Sequence, residues 1–173
     1  KAGLHLIEVV LRTEASLEAL KAIKQAFPAL IVGAGTVTSK KILLGAKEAG
    51  ADFIITPAIS ANLLAELSEC GLPVLPGVSN TADILLANEF GFNELKLFPA
   101  SLSGGAPFIG AMSSIFPDTS FCPTGGVNQE NKDDYLKLGN CFAIGGSWVA
   151  PKSWVENGQW DKITEACKLA NQS

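Results

Sequence analysis

The sequence has little that could bind a structural metal or form a disulfide framework. It contains a single histidine, His5, and no CxxC pair among its four cysteines, which are Cys70, Cys122, Cys141 and Cys167. A zinc site needs a close cluster of cysteine and histidine ligands, so we expect neither a metal nor a cofactor. Cysteines scattered in this way favour reduced thiols in a cytoplasmic protein.

Positive charge and long apolar runs are also scarce. Seventeen acidic residues against thirteen basic ones give a net charge of -4, and no basic block of the kind that binds nucleic acid is present. No apolar run approaches the roughly 20 residues of a membrane-spanning helix, and no signal peptide is recognisable. We therefore expect neither a nucleic-acid nor a membrane partner, and any anionic ligand must be met by local positive groups.

What the sequence has in abundance is an alternation of short apolar runs with amphipathic stretches of helical length. Its 173 residues, of which 47% are hydrophobic, are enough for one well-filled core and one domain. Each of seven strand-like runs precedes a helix-like stretch; the runs are 4–11, 30–37, 52–57, 73–78, 94–100, 120–126 and 141–148. Units of this size imply parallel strands covered by helices, an α/β fold.

An open doubly wound sheet and a closed barrel both fit this alternation. Polar or glycine-containing motifs end nearly every predicted strand, which favours a ring of βα loops around one site, as in a (β/α)8 TIM barrel. Residues 1–3, "KAG", resemble the end of a helix. We therefore expect residues 1–173 to form a single barrel domain whose first strand and helix are missing from this chain. The alternative is a complete open sheet of seven strands.

Lys96 is the most unusual residue of the predicted strands. It lies between two leucines in "ELKLFPA", and alternation places Lys96 and Phe98 on one face and the leucines on the other. A buried ammonium group is costly unless it is paired or loses its charge, and the neutral amine is the form that attacks a carbonyl. Lys96 is therefore either a Schiff-base nucleophile or one half of a structural ion pair.

Glu8 and Arg12 are the candidate partners of Lys96. Glu8 is the only charge within "LHLIEVV", and continued alternation would put Arg12 on the same face, about 13 Å further along an extended strand. A carboxylate below and a guanidinium above would leave room for a small keto acid, whose carboxylate suits arginine's planar fork. Taken alone, an arginine such as Arg12 just past a strand is more commonly a solvated loop charge.

Glycine-containing turns follow three of the predicted strands. "CPTGG" and "IGGSW" carry Thr124, Gly125, Gly126, Gly145, Gly146 and Ser147 on adjacent loops. Those loops are the usual phosphate site of a TIM barrel, because glycine lets backbone N–H groups approach an anion. "GAGTV" adds Thr36 as a hydroxyl donor but lacks the third glycine of the dinucleotide fingerprint.

Taken together, "EVVLRT", "VGAGTV", "KLFPA", "FCPTGG" and "IGGSW", in that order, resemble the 2-keto-3-deoxy-6-phosphogluconate (KDPG) and 4-hydroxy-2-oxoglutarate (KHG) aldolase family over essentially the whole chain. The resemblance implies a metal-independent class I aldolase, typically a homotrimer, that cleaves KDPG to pyruvate and glyceraldehyde 3-phosphate. It implies that Lys96 forms the Schiff base and that Glu8 is the general acid and base.

The resemblance also implies the substrate-binding residues. Arg12 would hold the keto-acid carboxylate, Phe98, Thr36, Pro57 and Thr124 would line the pocket, and the two Gly-Gly turns with Ser147 would surround the phosphate. One departure bears on substrate preference: where the family usually reads "SPG", this chain has "TPA", so that Ala58 replaces a glycine. Open alternatives are a KHG aldolase, a phosphate-binding isomerase in which Lys96 stays charged, and a non-catalytic sugar-phosphate binder.

Overall fold

Strands and helices alternate along residues 2–172, the part of the chain that the computed structural model describes. The predicted alternation of the two is therefore observed. The strands are β1 (Leu6–Val10), β2 (Ile31–Gly35), β3 (Phe53–Ile55), β4 (Val74–Leu75), β5 (Gly77–Val78), β6 (Glu94–Leu97) and β7 (Ser120–Pro123). The helices are α1 (Ser16–Ala26), α2 (Lys40–Glu48), α3 (Ala61–Ser68), α4 (Thr81–Glu89), α5 (Gly105–Met112), α6 (Lys132–Leu136), α7 (Lys152–Glu156) and α8 (Trp160–Ala170).

All strand pairs are parallel and follow the order of the chain. β1 to β4 form one sheet and β5 to β7 a second, and isolated bridges continue the second sheet from β7 to residues 141–145. Within residues 2–172, no pairing joins that last segment to β1. Consecutive parallel strands covered by helices confirm the predicted α/β class.

The predicted strand 73–78 is interrupted at Pro76, which separates β4 from β5. Proline has no N–H to donate to a ladder. The neighbouring chain segments compensate: the Thr56 hydroxyl accepts the N–H of Gly77 at 2.9 Å, and the Pro76 carbonyl accepts the N–H of Lys96 at 2.8 Å. The hydrogen bond between Thr56, just after β3, and Gly77 of β5 therefore connects the two sheets at the interruption.

The prediction of a regular strand at 141–148 is wrong. That segment contacts β7 through bridges at Cys141 and Gly145 only, because within the described residues it has a strand on one side alone. Between that segment and α8, the chain also forms the short helix α7. Along the described part of the chain, no helix is both long and apolar enough to cross a membrane.

Alternating side chains of the strands divide the interior into two layers. Leu95 and Leu97 are fully buried and pack with Phe121 in the cluster beneath the helices; each buried leucine contributes about 1.5–3 kcal/mol to folding. Val32 and Ala34 do the same in a second cluster. Lys96 lies between Leu95 and Leu97, so its side chain leaves the opposite face of the strand, away from the helices and toward the axis around which the strands curve.

Asp52, the residue before β3, links this strand to α1 and β2 through hydrogen bonds. Its carboxylate accepts hydrogen bonds from Lys24 Nζ at 2.6 and 2.8 Å and from the N–H of Val32 at 2.7 Å. The hydrogen bond from Lys24, followed by that from Val32, lowers the pKa of Asp52 below its ordinary value. The ionised form is thus preferred in the folded protein.

Replacing Asp52 with asparagine should lower the free energy of unfolding at neutral pH by about 1 kcal/mol, a modest value because the pair is partly exposed to solvent. Since the pKa of Asp52 is lowered on folding, its contribution is complete above the ordinary carboxyl pKa and is lost as the pH falls through the folded value. Urea unfolding at neutral and acidic pH should show the difference shrinking in acid. The exposed Asp118, changed to asparagine, is the control.

Candidate active site

Lys96 lies in the middle of β6 and is only 5% exposed. Its Nζ is 3.7 Å from Glu8 Oε1 and 4.9 Å from the centroid of the Phe98 ring. The Glu8 carboxylate offsets the cost of burying the Lys96 ammonium, and the Phe98 ring covers one side of that group. At 3.7 Å the ion pair is looser than a strong hydrogen bond, so the amine is not locked to the carboxylate.

Glu8 reaches the lysine from β1, across the axis of the fold. Its carboxylate lies against Gly35, where an added Cβ would overlap Glu8 Oε1. Gly35 is the last residue of β2 and pairs with Val10 of β1, and its φ is not in the left-handed region. Glycine is therefore required at this position for space rather than for backbone conformation.

Replacing Gly35 with alanine should displace the Glu8 carboxylate while leaving the β1–β2 ladder intact. We expect turnover to fall about tenfold, since a misplaced proton-transfer group loses much of its benefit. Steady-state kinetics together with thermal unfolding will separate this effect from misfolding. Alanine in place of Gly45, an α2 glycine whose nearest neighbour is Leu17, is the control; equal loss of activity in both variants would contradict the spatial role of Gly35.

Cys122 is the register partner of Lys96 on β7. Burial, with a smaller contribution from the neighbouring Cys141, raises the pKa of the Cys122 thiol to about 12. A thiol that stays protonated at neutral pH adds no charge beside the lysine and does not compete as a nucleophile. Cys122 is buried, and its register places its side chain on the same side of the sheet as that of Lys96.

Thr36 and Pro57 lie at the carboxyl ends of β2 and β3. Thr36 has φ +62°, the left-handed region that a β-branched residue seldom adopts, and such outliers concentrate at functional sites. Pro57 follows Thr56, and its backbone closes over Gly77, where a Cβ would clash with it. Both therefore stand at the rim of the site, beside the strand ends that surround Lys96.

Arg12 is the residue whose predicted geometry is wrong. β1 ends at Val10, and the N–H of Arg12 bonds to the Val10 carbonyl at 3.0 Å, so the chain turns instead of continuing as an extended strand. The Arg12 side chain is exposed and forms no ion pair within residues 2–172. It follows the strand that carries Glu8, but the structure does not bring it into contact with Lys96.

The two Gly-Gly turns meet at the carboxyl end of the second sheet, where Thr124 bridges to Gly145. Gly125 and Gly126 have φ of +92° and +83°. Across the described chain, four backbone N–H groups of these turns donate no hydrogen bond: those of Gly125, Gly126, Gly146 and Ser147. Consecutive unpaired amides of this kind form a nest that binds anions, and we call these four N–H groups the amide cradle.

Close packing explains why the cradle needs its glycines. A Cβ at Gly145 would meet the Thr124 hydroxyl, one at Gly146 would overlap the Trp148 ring, and one at Gly126 would overlap Ser101. A side chain added at any of the three positions would displace its neighbour, and at Gly145 that neighbour, Thr124, belongs to the other Gly-Gly turn. The sequence predicts a phosphate site at these glycines, which stays a prediction. It did not indicate the neighbouring Ser101 or the spatial role of Gly35, because neither residue type is distinctive by itself.

Comparisons with known proteins agree with this geometry. A family model described as "KDPG and KHG aldolase" matches residues 1–166. A 2-dehydro-3-deoxy-phosphogluconate aldolase of Pseudoalteromonas atlantica is 45% identical over 97% of this chain and 78% of its own length. A KHG/KDPG aldolase of Escherichia coli is 40% identical over 97% of this chain and 79% of its own.

A solved structure with nearly the same fold contains a trapped reaction intermediate. It is a KDPG aldolase from Legionella pneumophila with pyruvate captured as a covalent carbinolamine. It superposes with a TM-score of 0.95 at 38% identity, covering 98% of this chain and 82% of that one. This likeness confirms the expected barrel-type α/β architecture.

Proposed function

Since this chain belongs to the KDPG and KHG aldolase family and is an aldolase, a carbon–carbon lyase, we propose that it cleaves KDPG through a Schiff base on Lys96. The products are pyruvate and glyceraldehyde 3-phosphate. The observation that carries the proposal is the position of Lys96, buried on a strand with Glu8 at 3.7 Å and a set of unpaired amides at the ends of the neighbouring strands.

The reaction begins with transfer of a proton from the Lys96 ammonium to the Glu8 carboxylate, after which the neutral amine attacks the C2 carbonyl and the amine's proton passes to the oxygen to give the carbinolamine. Glu8 carries a proton to the carbinolamine hydroxyl, water leaves, and a protonated imine forms. Glu8, now deprotonated, acts as the base and removes the proton of the C4 hydroxyl. The C3–C4 bond then breaks, and the electron pair of that bond passes into the imine to give an enamine and the aldehyde. Protonation of the enamine at C3 and addition of water then release pyruvate and regenerate the amine.

The two ends of the substrate need different anchors. At the carboxylate end, the proposal uses Thr36 and Arg12, with Arg12 turning inward when the keto acid binds. A guanidinium that forms no ion pair within residues 2–172 has that freedom. Phe98, Pro57 and Thr124 line the space between. At the phosphate end, the amide cradle supplies N–H donors from two loops, formed by Gly125, Gly126, Gly146 and Ser147.

Pyruvate release from KDPG and from 4-hydroxy-2-oxoglutarate, measured side by side, tests the substrate assignment. Because only KDPG carries a phosphate for the cradle to bind, we expect its kcat/KM to exceed that of the shorter acid by at least about tenfold. Equal or reversed values would assign the enzyme to the shorter substrate. No pyruvate from either would favour a barrel of another reaction class or a non-catalytic binder.

The same proposal includes assembly, location and domain organisation. A homotrimer is supported by family resemblance and by exposed apolar side chains such as Leu85, Leu102 and Ile115, which a partner subunit would cover. Sedimentation equilibrium tests it. A cytoplasmic location is supported by four free cysteines, and a single domain over residues 1–173 by Ile59 and Phe92, which pack against both hydrophobic clusters.

A further inference from the structure

The loop between β7 and α6, residues 124–131, which we call the glycine loop, holds half of the amide cradle. Its two consecutive glycines both have positive φ, and glycine peptides can rotate to many other conformations at little cost. A loop that binds an anion must keep its N–H groups toward the ligand and its carbonyl oxygens away from it, since those oxygens repel negative charge. Some other group must therefore hold the glycine carbonyls.

Three successive carbonyls of the glycine loop are each engaged by a donor outside the cradle. The N–H of Ala100 bonds to the Thr124 carbonyl at 2.8 Å, and the N–H of Ser101 bonds to the Gly125 carbonyl at 3.0 Å. The third carbonyl, that of Gly126, is bound by Asn131 Nδ2 at 2.9 Å. Of the three, this is the one hydrogen bond made by a side chain.

Asn131 also fastens the far part of the same loop. Its Oδ1 accepts the N–H of Asn128 at 2.8 Å, while Asn128 Oδ1 accepts the N–H groups of Glu130 and Asn131 at 2.9 and 3.1 Å. One side-chain amide thus uses its donor on Gly126 and its acceptor on Asn128. These hydrogen bonds lie at the protein surface, and together they tie the two ends of the glycine loop to each other.

We propose that Asn131 is the positioning residue of the phosphate site: it turns the Gly126 carbonyl away from the substrate so that the cradle N–H groups face the phosphate. Asn131 does not touch the substrate in this arrangement. The inference rests on the proposed phosphorylated substrate and adds a residue to it. It predicts that loss of the Asn131 donor weakens phosphate binding without disturbing the chemistry at Lys96.

Asn131→Asp removes the donor to Gly126 and keeps an acceptor for Asn128, with almost no change of shape. Because it also adds a negative charge, its matched control is Asn128→Asp, which adds the same charge to the same loop while keeping the Oδ1 acceptor and leaving Asn131 intact. The readouts are the Ki of inorganic phosphate as a competitive inhibitor, KM and kcat with KDPG, and the rate of borohydride-trapped imine formation with pyruvate.

For Asn131→Asp we expect the phosphate Ki and the KM for KDPG to rise about tenfold or more, with imine formation from pyruvate within about twofold of the parent. Asn128→Asp should change both constants by less than about threefold. Equal effects of the two variants would mean that the added negative charge alone causes the change, and would overturn the inference. An unchanged phosphate Ki in Asn131→Asp would overturn it too.

The outcomes also separate this inference from the proposed function. A parent enzyme that traps pyruvate but is not inhibited by phosphate would overturn the role of Asn131 and leave the Schiff-base chemistry standing. A parent enzyme that phosphate inhibits but that never traps pyruvate would overturn the proposed chemistry alone. If Asn131→Asp unfolds at a lower temperature, Asn131→Gln, which keeps the donor on a longer arm, should recover part of the phosphate affinity without recovering stability; no recovery would count against the inference.

Discussion

Replacing Lys96 with methionine should reduce kcat for KDPG cleavage by at least about a thousandfold, to the level that binding alone can provide. Methionine fills nearly the same volume, so the buried site keeps its packing while it loses the nucleophile. The charge of Glu8 is then left without its partner at 3.7 Å. Stopped assays for pyruvate over long incubations will measure the residual rate.

The control for this substitution is a second buried lysine away from the site. Lys132 is 2% exposed, and its Nζ bonds to the Gln172 carbonyl at 3.0 Å and to Asp133 Oδ1 at 3.1 Å. Lys132→Met should lower stability but retain most of kcat. A Lys96→Met enzyme that turned over within about tenfold of the parent would contradict the role of Lys96 as nucleophile.

Replacing Glu8 with glutamine should lower kcat by about a hundredfold to ten-thousandfold, the usual contribution of a positioned general acid–base group. Glutamine keeps the shape that fits over Gly35 but cannot carry the proton. Imine formation with pyruvate should fall much less because, of the proton transfers assigned to Glu8 during cleavage, those at the C4 hydroxyl and at C3 come only after the imine has formed. Single-turnover kinetics with KDPG and trapping rates with pyruvate separate the two steps.

Glu94 provides the matched control for Glu8. It lies on the same face of β6 as Lys96 but at the start of the strand, and it is exposed. Glu94→Gln should leave both steps unchanged. If Glu8→Gln slowed imine formation and turnover equally, Glu8 would act chiefly on the state of the lysine and would not be the group that moves protons during cleavage.

The α/β fold and the burial of Lys96 beside Glu8 could be predicted from local patterns in the sequence. A lysine between two leucines has to face away from the helices that bury those leucines, and Glu8 is the one charge in its own strand. The same alternation failed for Arg12, because β1 ends at Val10 and the chain turns. Strand ends depend on which neighbours are available to pair, and this information is not local.

Other features could not be predicted because they depend on contacts between distant segments. The glycine at position 35 is required by a carboxylate from the adjacent strand, and nothing near Gly35 in the sequence indicates that. Asn131 reads as an ordinary polar residue before a helix until its bond to the Gly126 carbonyl is seen. One strand was predicted at 73–78, and neither the break at Pro76 nor the hydrogen bond from Gly77 to the Thr56 hydroxyl was expected.

The most direct measurement of the central claim is reduction with borohydride in the presence of pyruvate, followed by peptide mass spectrometry. A Schiff base on Lys96 predicts one pyruvate-derived mass increment per chain, located on the peptide that contains Lys96, absent without pyruvate and absent from Lys96→Met. An increment on any other lysine, or an active enzyme that gives no adduct at all, would contradict the account.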